Sequence, residues 1–253
     1  MIESGRYLFA IKTSELDIRK RIPPSVLYRC LQESAENHAV AYDFDSETLL
    51  QKGLSWVLLK IHLVVEEYPE GRQDVIVETW PSALESRYAH RDFLVFLPGR
   101  QDPIARGAST WVLLDVARNR PAVLGSILGD GHLVHRPRAL ESPFQPIAPT
   151  GEVVRRLDVP VRLADLDIND HVNNLHYVEW IVESVPESVW RESAPAEIQV
   201  EFKRAVRYGE SVRVETFGSG DGACAYAHRV TSSGTPGDVV LARTRWSPPS
   251  AAR

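Results

Sequence analysis

Apolar residues along this chain fall into two blocks with one internal order: a short strand-like run, a helix-like run, then several strand-like runs. In the first block Leu27, Cys30, Leu31 and Ala35 recur at three- and four-residue steps, which predicts a helix over about residues 23–38. Residues 6–13 read as a strand before it. Residues 56–65 are rich in Val, Leu and Ile, which predicts a strand covered on much of both faces, and turn residues at 68–71 end it. Further strands are predicted at about 74–80, 87–96 and 104–116. The second block predicts a strand at 153–162, a helix at 172–185, and strands near 197–208, 211–217, 223–231 and 239–246. One helix followed by several antiparallel-looking strands predicts an α+β fold, helix packed on sheet. Between the blocks, Pro121, Pro137, Pro143, Pro146 and Pro149 mark a connection over about 117–150, expected to lie ordered against the surface. The tail at 247–250 reads as frayed.

The blocks are related copies. Sliding the chain against itself by 150 positions lays Glu15-Leu-Asp-Ile18 on Asp165-Leu-Asp-Ile168 and Glu33-Ser34 on Glu183-Ser184. Leu27 and Leu31 then fall on Tyr177 and Ile181, and Pro23 and Pro24 on Asn173 and Asn174. A second echo joins Val77-Glu-Thr-Trp80 and Tyr88-Ala-His-Arg91 to Val214-Glu-Thr-Phe217 and Tyr226-Ala-His-Arg229. The period far exceeds the roughly 20–50 residues of repeat arrays, so two copies of one fold are expected, not a solenoid.

The copies differ in chemistry. Asp165-Leu-Asp-Ile-Asn-Asp-His-Val-Asn-Asn174 leads into the second helix, and Asn169 and His171 face only Arg19 and Arg21 in the first copy. Turn formation explains Asp and Asn here, and Asp167 repeats as Asp17. Asn169 and His171 do not repeat, which favours a working site in the second copy. An imidazole, ordinarily titrating at about 6.5, can accept a proton near neutral pH. A carboxamide can hold water, and a carboxylate at Asp167 can orient either neighbour or act on water. Asn173 and Asn174 suit a helix start. Backbone N–H groups there, at Val172 and Asn173, are candidate donors to an oxyanion.

Composition narrows the alternatives. Apolar content of 43% and charged content of 25% are those of a globular protein, and a net charge of −5 argues against a general nucleic-acid binder. Two cysteines, Cys30 and Cys224, make no disulfide framework. No run approaches the ~20 apolar residues that span a membrane, and no membrane association is expected. A strand beginning near Arg6 leaves no room for a targeting peptide, so a cytoplasmic protein is expected. His132 and His135 form a close pair, but no Cys, Asp or Glu cluster completes a ligand set, and no metal is expected.

The stretch 165–174, with Tyr177 and Trp180, resembles the signature of the acyl-acyl-carrier-protein thioesterases of plant plastids and bacteria. Leu31-Gln-Glu-Ser-Ala35, Trp56-Val57, Glu78-Thr-Trp80, Arg91-Asp-Phe93 and Ser109-Thr-Trp-Val-Leu-Leu-Asp115 are similar to that family too, in its order. The resemblance implies two tandem hotdog domains, each a long helix wrapped by an antiparallel sheet. Residues 1–147 would be scaffold, linker and acyl-chain binding, and 148–253 the catalytic domain. It implies hydrolysis of fatty acyl thioesters of acyl carrier protein without a cofactor, with Asp167, Asn169 and His171 as a water-activating set. It places the acyl channel along Leu27, Leu31 and Trp56, and a bacterial source follows because plastid members need a transit peptide. A homodimer is allowed for. The carrier protein is acidic, so docking needs a basic patch; Lys203, Arg204, Arg207, Arg155 and Arg156 are candidates.

The chain departs from the family at one place. Plant members carry a glutamate on the strand after the second helix, where Ala205 stands here. Glu201, four residues earlier, would share that strand face but lie about 13 Å away. Two other readings stay open: an acyl-coenzyme A thioesterase of the same fold, and a non-catalytic acyl-binding regulatory module.

Overall fold

Pro23, extended, and Pro24, at the first helical position, start α1 (Pro24–Val40), as a proline without an N–H can do at no cost in hydrogen bonds. The helix buries Leu27, Tyr28, Cys30, Leu31, Ser34, Ala35 and His38 along one side. The computed structural model describes residues 3–128, 133–218 and 224–248. They divide into two units, Met1–Leu63 with Glu67–Pro143, and Val64–Glu66 with Phe144–Arg253.

Unit 1 begins with β1 (Gly5–Phe9), then α1, a short α2 (Ser46–Gln51), β2 (Leu54–Val65), β3 (Val75–Glu85), β4 (Tyr88–Phe96), β5 (Ala105–Asp115) and β6 (Arg120–Pro121). Its sheet runs β1-β3-β4-β5-β2, with β6 beside β5. The second unit repeats this plan with β7 (Val153–Pro160), α3 (Asn174–Glu183), α4 (Glu187–Glu192), β8 (Ala194–Phe202), β9 (Ser211–Gly218), β10 (Ala225–Ser232) and β11 (Asp238–Ser247). Its order, β7-β9-β10-β11-β8, is that of unit 1 strand for strand. Each helix covers its own sheet: α1 lies against β1 and β3, and α3 against β9. The duplicated α+β plan is as the sequence predicts.

Several boundaries differ, each for a local reason. β1 stops at Phe9 because its partner β3 begins at Val75, opposite Phe9. The strand expected over 197–208 runs over 194–202 instead. The pairing with β11 stops at Phe202–Val240, because the N–H groups of Lys203 and Arg204 both turn to the one Val239 carbonyl (2.8 and 3.3 Å). α2 and α4, of six residues each, are too short to show a helical period. The echo of Tyr88–Arg91 in Tyr226–Arg229 is not a structural equivalence. Thr79 pairs with Phe93, whereas its counterpart Thr216 pairs with His228.

Candidate active site

The turn before α3 is built by its own backbone. Arg162 donates its N–H to Asp165 Oδ2 (2.8 Å) and its guanidinium to Oδ1 (2.6 Å), closing a 3-10 turn at Leu163–Asp165. Burial alone would raise the Asp165 carboxyl, but these Arg162 bonds hold it below the usual carboxylate range. Asp167 then donates its N–H to His171 O (2.8 Å) and accepts the Asn169 N–H on Oδ1 (2.8 Å). Asp170 sits at φ +59, a left-handed position that aspartate tolerates. This closed turn exposes Asn169 and leaves Asp167 and His171 half-buried.

Unit 1 makes the same turn. Asp17 donates to Arg21 O (2.9 Å), and Lys20 takes φ +59. There the polar groups are tied up, since Asp17 Oδ1 accepts the N–H of both Arg19 and Arg21 and Oδ2 meets Arg19 Nε at 3.1 Å. In unit 2, among the described residues, no cation pairs with Asp167 and no protein group hydrogen-bonds the Asn169 carboxamide or the His171 ring. The structure therefore brings Asp167, Asn169 and His171 together on one turn, with Asp167 Oδ2 and both side-chain amide and imidazole functions unspent.

The candidate oxyanion donors need correction. The Val172 N–H is bonded to Val206 O (2.9 Å), and the Asn173 N–H to Asp165 O (2.8 Å). The first ties the turn to the loop after β8, the second closes the turn on itself, and neither is open to a ligand. Asn173 is instead the helix N-cap, its Oδ1 accepting Leu175 N–H at 3.0 Å. The Asn174 N–H, one position further on, has no acceptor among the described residues.

The shared-face relation of Glu201 to Ala205 also falls, because the strand ends at Phe202. Glu201 stays on β8, 3.9 Å from Lys203 Nζ, while Ala205 lies exposed in the following loop. That loop adjoins the site turn through Val206 O and through Arg207, whose guanidinium reaches Asp170 at 3.3 Å. In unit 1, Leu27 and Leu31 are fully buried on α1, and Leu31 Cδ1 lies 3.2 Å from where a Cβ on Gly107 would stand. Trp56 is half-buried elsewhere in that unit, against Leu49, Leu113, Leu124 and Leu128, and its indole N–H bonds Phe44 O (3.0 Å).

Four of the five basic-patch residues have carboxylate neighbours: Lys203, Arg207, Arg156 with Glu215 (3.0 Å) and Arg155 with Glu183 (4.0 Å). Arg204 is exposed and has none among the described residues. His132 lies outside the described residues, and among those described no His, Cys, Asp and Glu group is placed to hold a metal ion. No described helix is long and apolar enough to cross a membrane. A cavity of about 300 Å³ in unit 2 lies beside Phe217, Ala225 and Arg243, on β9–β11 rather than at the turn, so the site rests on its chemistry and not on concavity.

One residue that the sequence reading named only within the resemblance stands out in the structure. Tyr177, on α3, is 2% exposed, yet its hydroxyl has no hydrogen-bond partner among the described residues. The sequence signal was present: the self-alignment puts a leucine, Leu27, at this place in the first copy.

Residues 5–126 match the model of the acyl-ACP thioesterase N-terminal domain, and residues 150–248 that of the C-terminal domain. An acyl-[acyl-carrier-protein] hydrolase of Cuphea viscosissima chloroplasts is 27% identical over 98% of this chain and 62% of its own length. The chain thus spans about three fifths of that relative. The solved 12:0-ACP thioesterase of Umbellularia californica matches with a TM-score of 0.85 and 26% identity, covering 97% of each chain. An acyl-ACP thioesterase from Bacteroides thetaiotaomicron shares the fold, with a TM-score of 0.85 at 22% identity over 96% of this chain and 98% of that one. The architecture is accordingly a double hotdog.

Proposed function

The chain belongs to the acyl-ACP thioesterase family, and on that premise we propose that it hydrolyses fatty acyl-carrier-protein thioesters to free fatty acid and carrier thiol. The observation that carries this reading is the asymmetry between the two turns: the first copy ties up its polar groups, and the second leaves Asp167 Oδ2, Asn169 and His171 open.

In this mechanism the Asn169 carboxamide holds a water, and His171 takes its proton as the oxygen attacks the thioester carbonyl carbon. Asp167 orients the pair. The tetrahedral oxyanion collapses, the carbon–sulfur bond breaks, and the proton on His171 passes to the leaving thiolate. The Asn174 N–H, free at the start of α3, is the donor this helix offers to the oxyanion in place of Val172 and Asn173. We assign acyl-chain binding, with Leu27, Leu31 and Trp56, to residues 1–147 and the chemistry to 148–253. Arg204 leads the carrier-protein dock. The surface ion pairs of Lys203 and Arg207, which flank it in the same loop, are each worth about 0–1 kcal/mol and exchange readily for a partner's carboxylates. Two unpaired cysteines, Cys30 and Cys224, suit a reducing cytoplasm.

The test is release of free fatty acid from matched acyl-carrier-protein and acyl-coenzyme A thioesters. Asn169→Ala and His171→Ala are each expected to lower kcat about a hundredfold or more with the fold intact. Equal or faster turnover of the coenzyme A esters would replace the carrier protein as substrate. Tight acyl binding without turnover would support a binding module, in which Ala205 leaves the loop without its carboxylate.

A further inference from the structure

A buried hydroxyl with nothing to bond is costly, and a phenylalanine would fill the same space without that cost. Tyr177 is such a residue. Its ring is held edge-on by Trp180 (5.3 Å, 80°) and by Phe202 (6.1 Å, 64°). Helical side chains lean toward the helix N-terminus, so its hydroxyl lies over the turn that begins α3.

Burial raises the Tyr177 hydroxyl above its ordinary range, and the Glu210 and Asp167 carboxylates raise it further. Glu210 has its oxygens engaged: Oε1 accepts the Arg207 N–H (2.9 Å), and Oε2 accepts the hydroxyls of Ser232 and of Thr235 (3.2 Å). Asp167 has spent Oδ1 on Asn169 N–H, and Oδ2 is unspent. Tyr28 on α1 is a useful contrast. Its hydroxyl is also buried and unbonded, but burial is the only influence on it. The first-copy counterpart of Tyr177 is the fully buried Leu27.

We propose that Tyr177 is a positioning residue of the site, whose hydroxyl donates to Asp167 Oδ2 when the acyl thioester enters and fixes that carboxylate beside Asn169 and His171. This rests on the catalytic reading of the turn. A charge-assisted hydrogen bond formed only in the loaded enzyme should appear in kcat, not in KM.

The experiment is a double-mutant cycle with Tyr177→Phe and Asp167→Asn, assayed on acyl-carrier-protein thioester alongside Asn169→Ala and His171→Ala. Tyr177→Phe is expected to lower kcat about 10- to 100-fold with KM within about twofold. Its melting temperature should be equal to or above that of the wild type. In the Asp167→Asn background the same change should alter kcat by less than about twofold, because its acceptor is gone. Tyr177→Phe at wild-type kcat, or an equal loss in both backgrounds, overturns the proposal. The catalytic reading fails separately, if Asp167→Asn, Asn169→Ala and His171→Ala all retain activity or if the wild type has none.

Discussion

Trp246 donates its indole N–H to Thr244 Oγ1 (2.9 Å), and Thr244 donates to His228 Nε2 (2.9 Å). His228 Nδ1–H then bonds Thr216 Oγ1 (3.1 Å), Thr216 bonds Ser184 Oγ (2.7 Å), and Ser184 ends the chain on Ile181 O (2.8 Å). Every group in this line gives one proton forward, so the fully buried ring is complete as a neutral imidazole. Burial pushes His228 down to about 3. His38 in unit 1 is neutral for a related reason. A guanidinium only donates, so Arg91 Nη1 makes His38 Nδ1 an acceptor (3.2 Å), and Nε2–H is left for Glu3 O (2.8 Å). Burial, then the Arg91 charge, lowers His38 to about 4. Both folded-state values lie below the ordinary 6.5, so between 6.5 and about 4 the unfolded chain binds more protons than the folded one. Stability should therefore be full above about pH 6.5 and fall with acidification, by up to about 1.4 kcal/mol per pH unit for each histidine. Urea unfolding between pH 7.5 and 4.5 measures this, and His38→Gln should flatten the slope. Neither tautomer could be read from sequence, because each depends on partners from other elements.

The turn–helix element separates stability from activity. Asn173→Ala removes the cap on Leu175 N–H and should cost about 1 kcal/mol, read as a lower urea midpoint. Asn169 is exposed and bonded only through its backbone, so Asn169→Ala should leave that midpoint unchanged while activity falls. The two copies make a further comparison. Asp17→Ala strips acceptors from two N–H groups and an ion pair, whereas Asp167→Ala strips one acceptor. The first substitution should destabilise more and the second should impair turnover more. The duplicated turn was legible because Asp17 and Asp167 stand at one spacing from their helices. The engagement of the Val172 and Asn173 N–H groups was not. For Val172 it depends on Val206, which reaches the turn only because β8 ends early, and for Asn173 on the Asp165 carbonyl across the closed turn.

Across each whole unit, segments distant in sequence are joined by buried polar groups. In unit 1, Asp92 is fully buried on β4 and accepts Arg138 Nε (2.8 Å), Arg138 Nη2 (3.0 Å), Ala139 N–H (2.8 Å) and Ser82 Oγ (3.1 Å). Its neighbour Glu78 binds Arg136, whose guanidinium also lies 3.9 Å over the Trp80 ring. The proline-rich connection is thereby fastened to the sheet, as its composition led us to expect. Asp92→Ala leaves Arg138 and Ala139 N–H without their acceptor and should cost about 3 kcal/mol, measured by urea unfolding at neutral pH. The sequence by itself determined the duplicated order of elements, the helical and strand periods, and the grouping of Asp167, Asn169 and His171. These are local: a period or a turn needs only neighbours along the chain. Tertiary structure decided which polar groups remain free, where β8 stops, which tautomers the buried histidines hold, and that Tyr177 keeps an unbonded hydroxyl. The reason is that a donor or acceptor counts as free only after groups far along the chain have been packed against it.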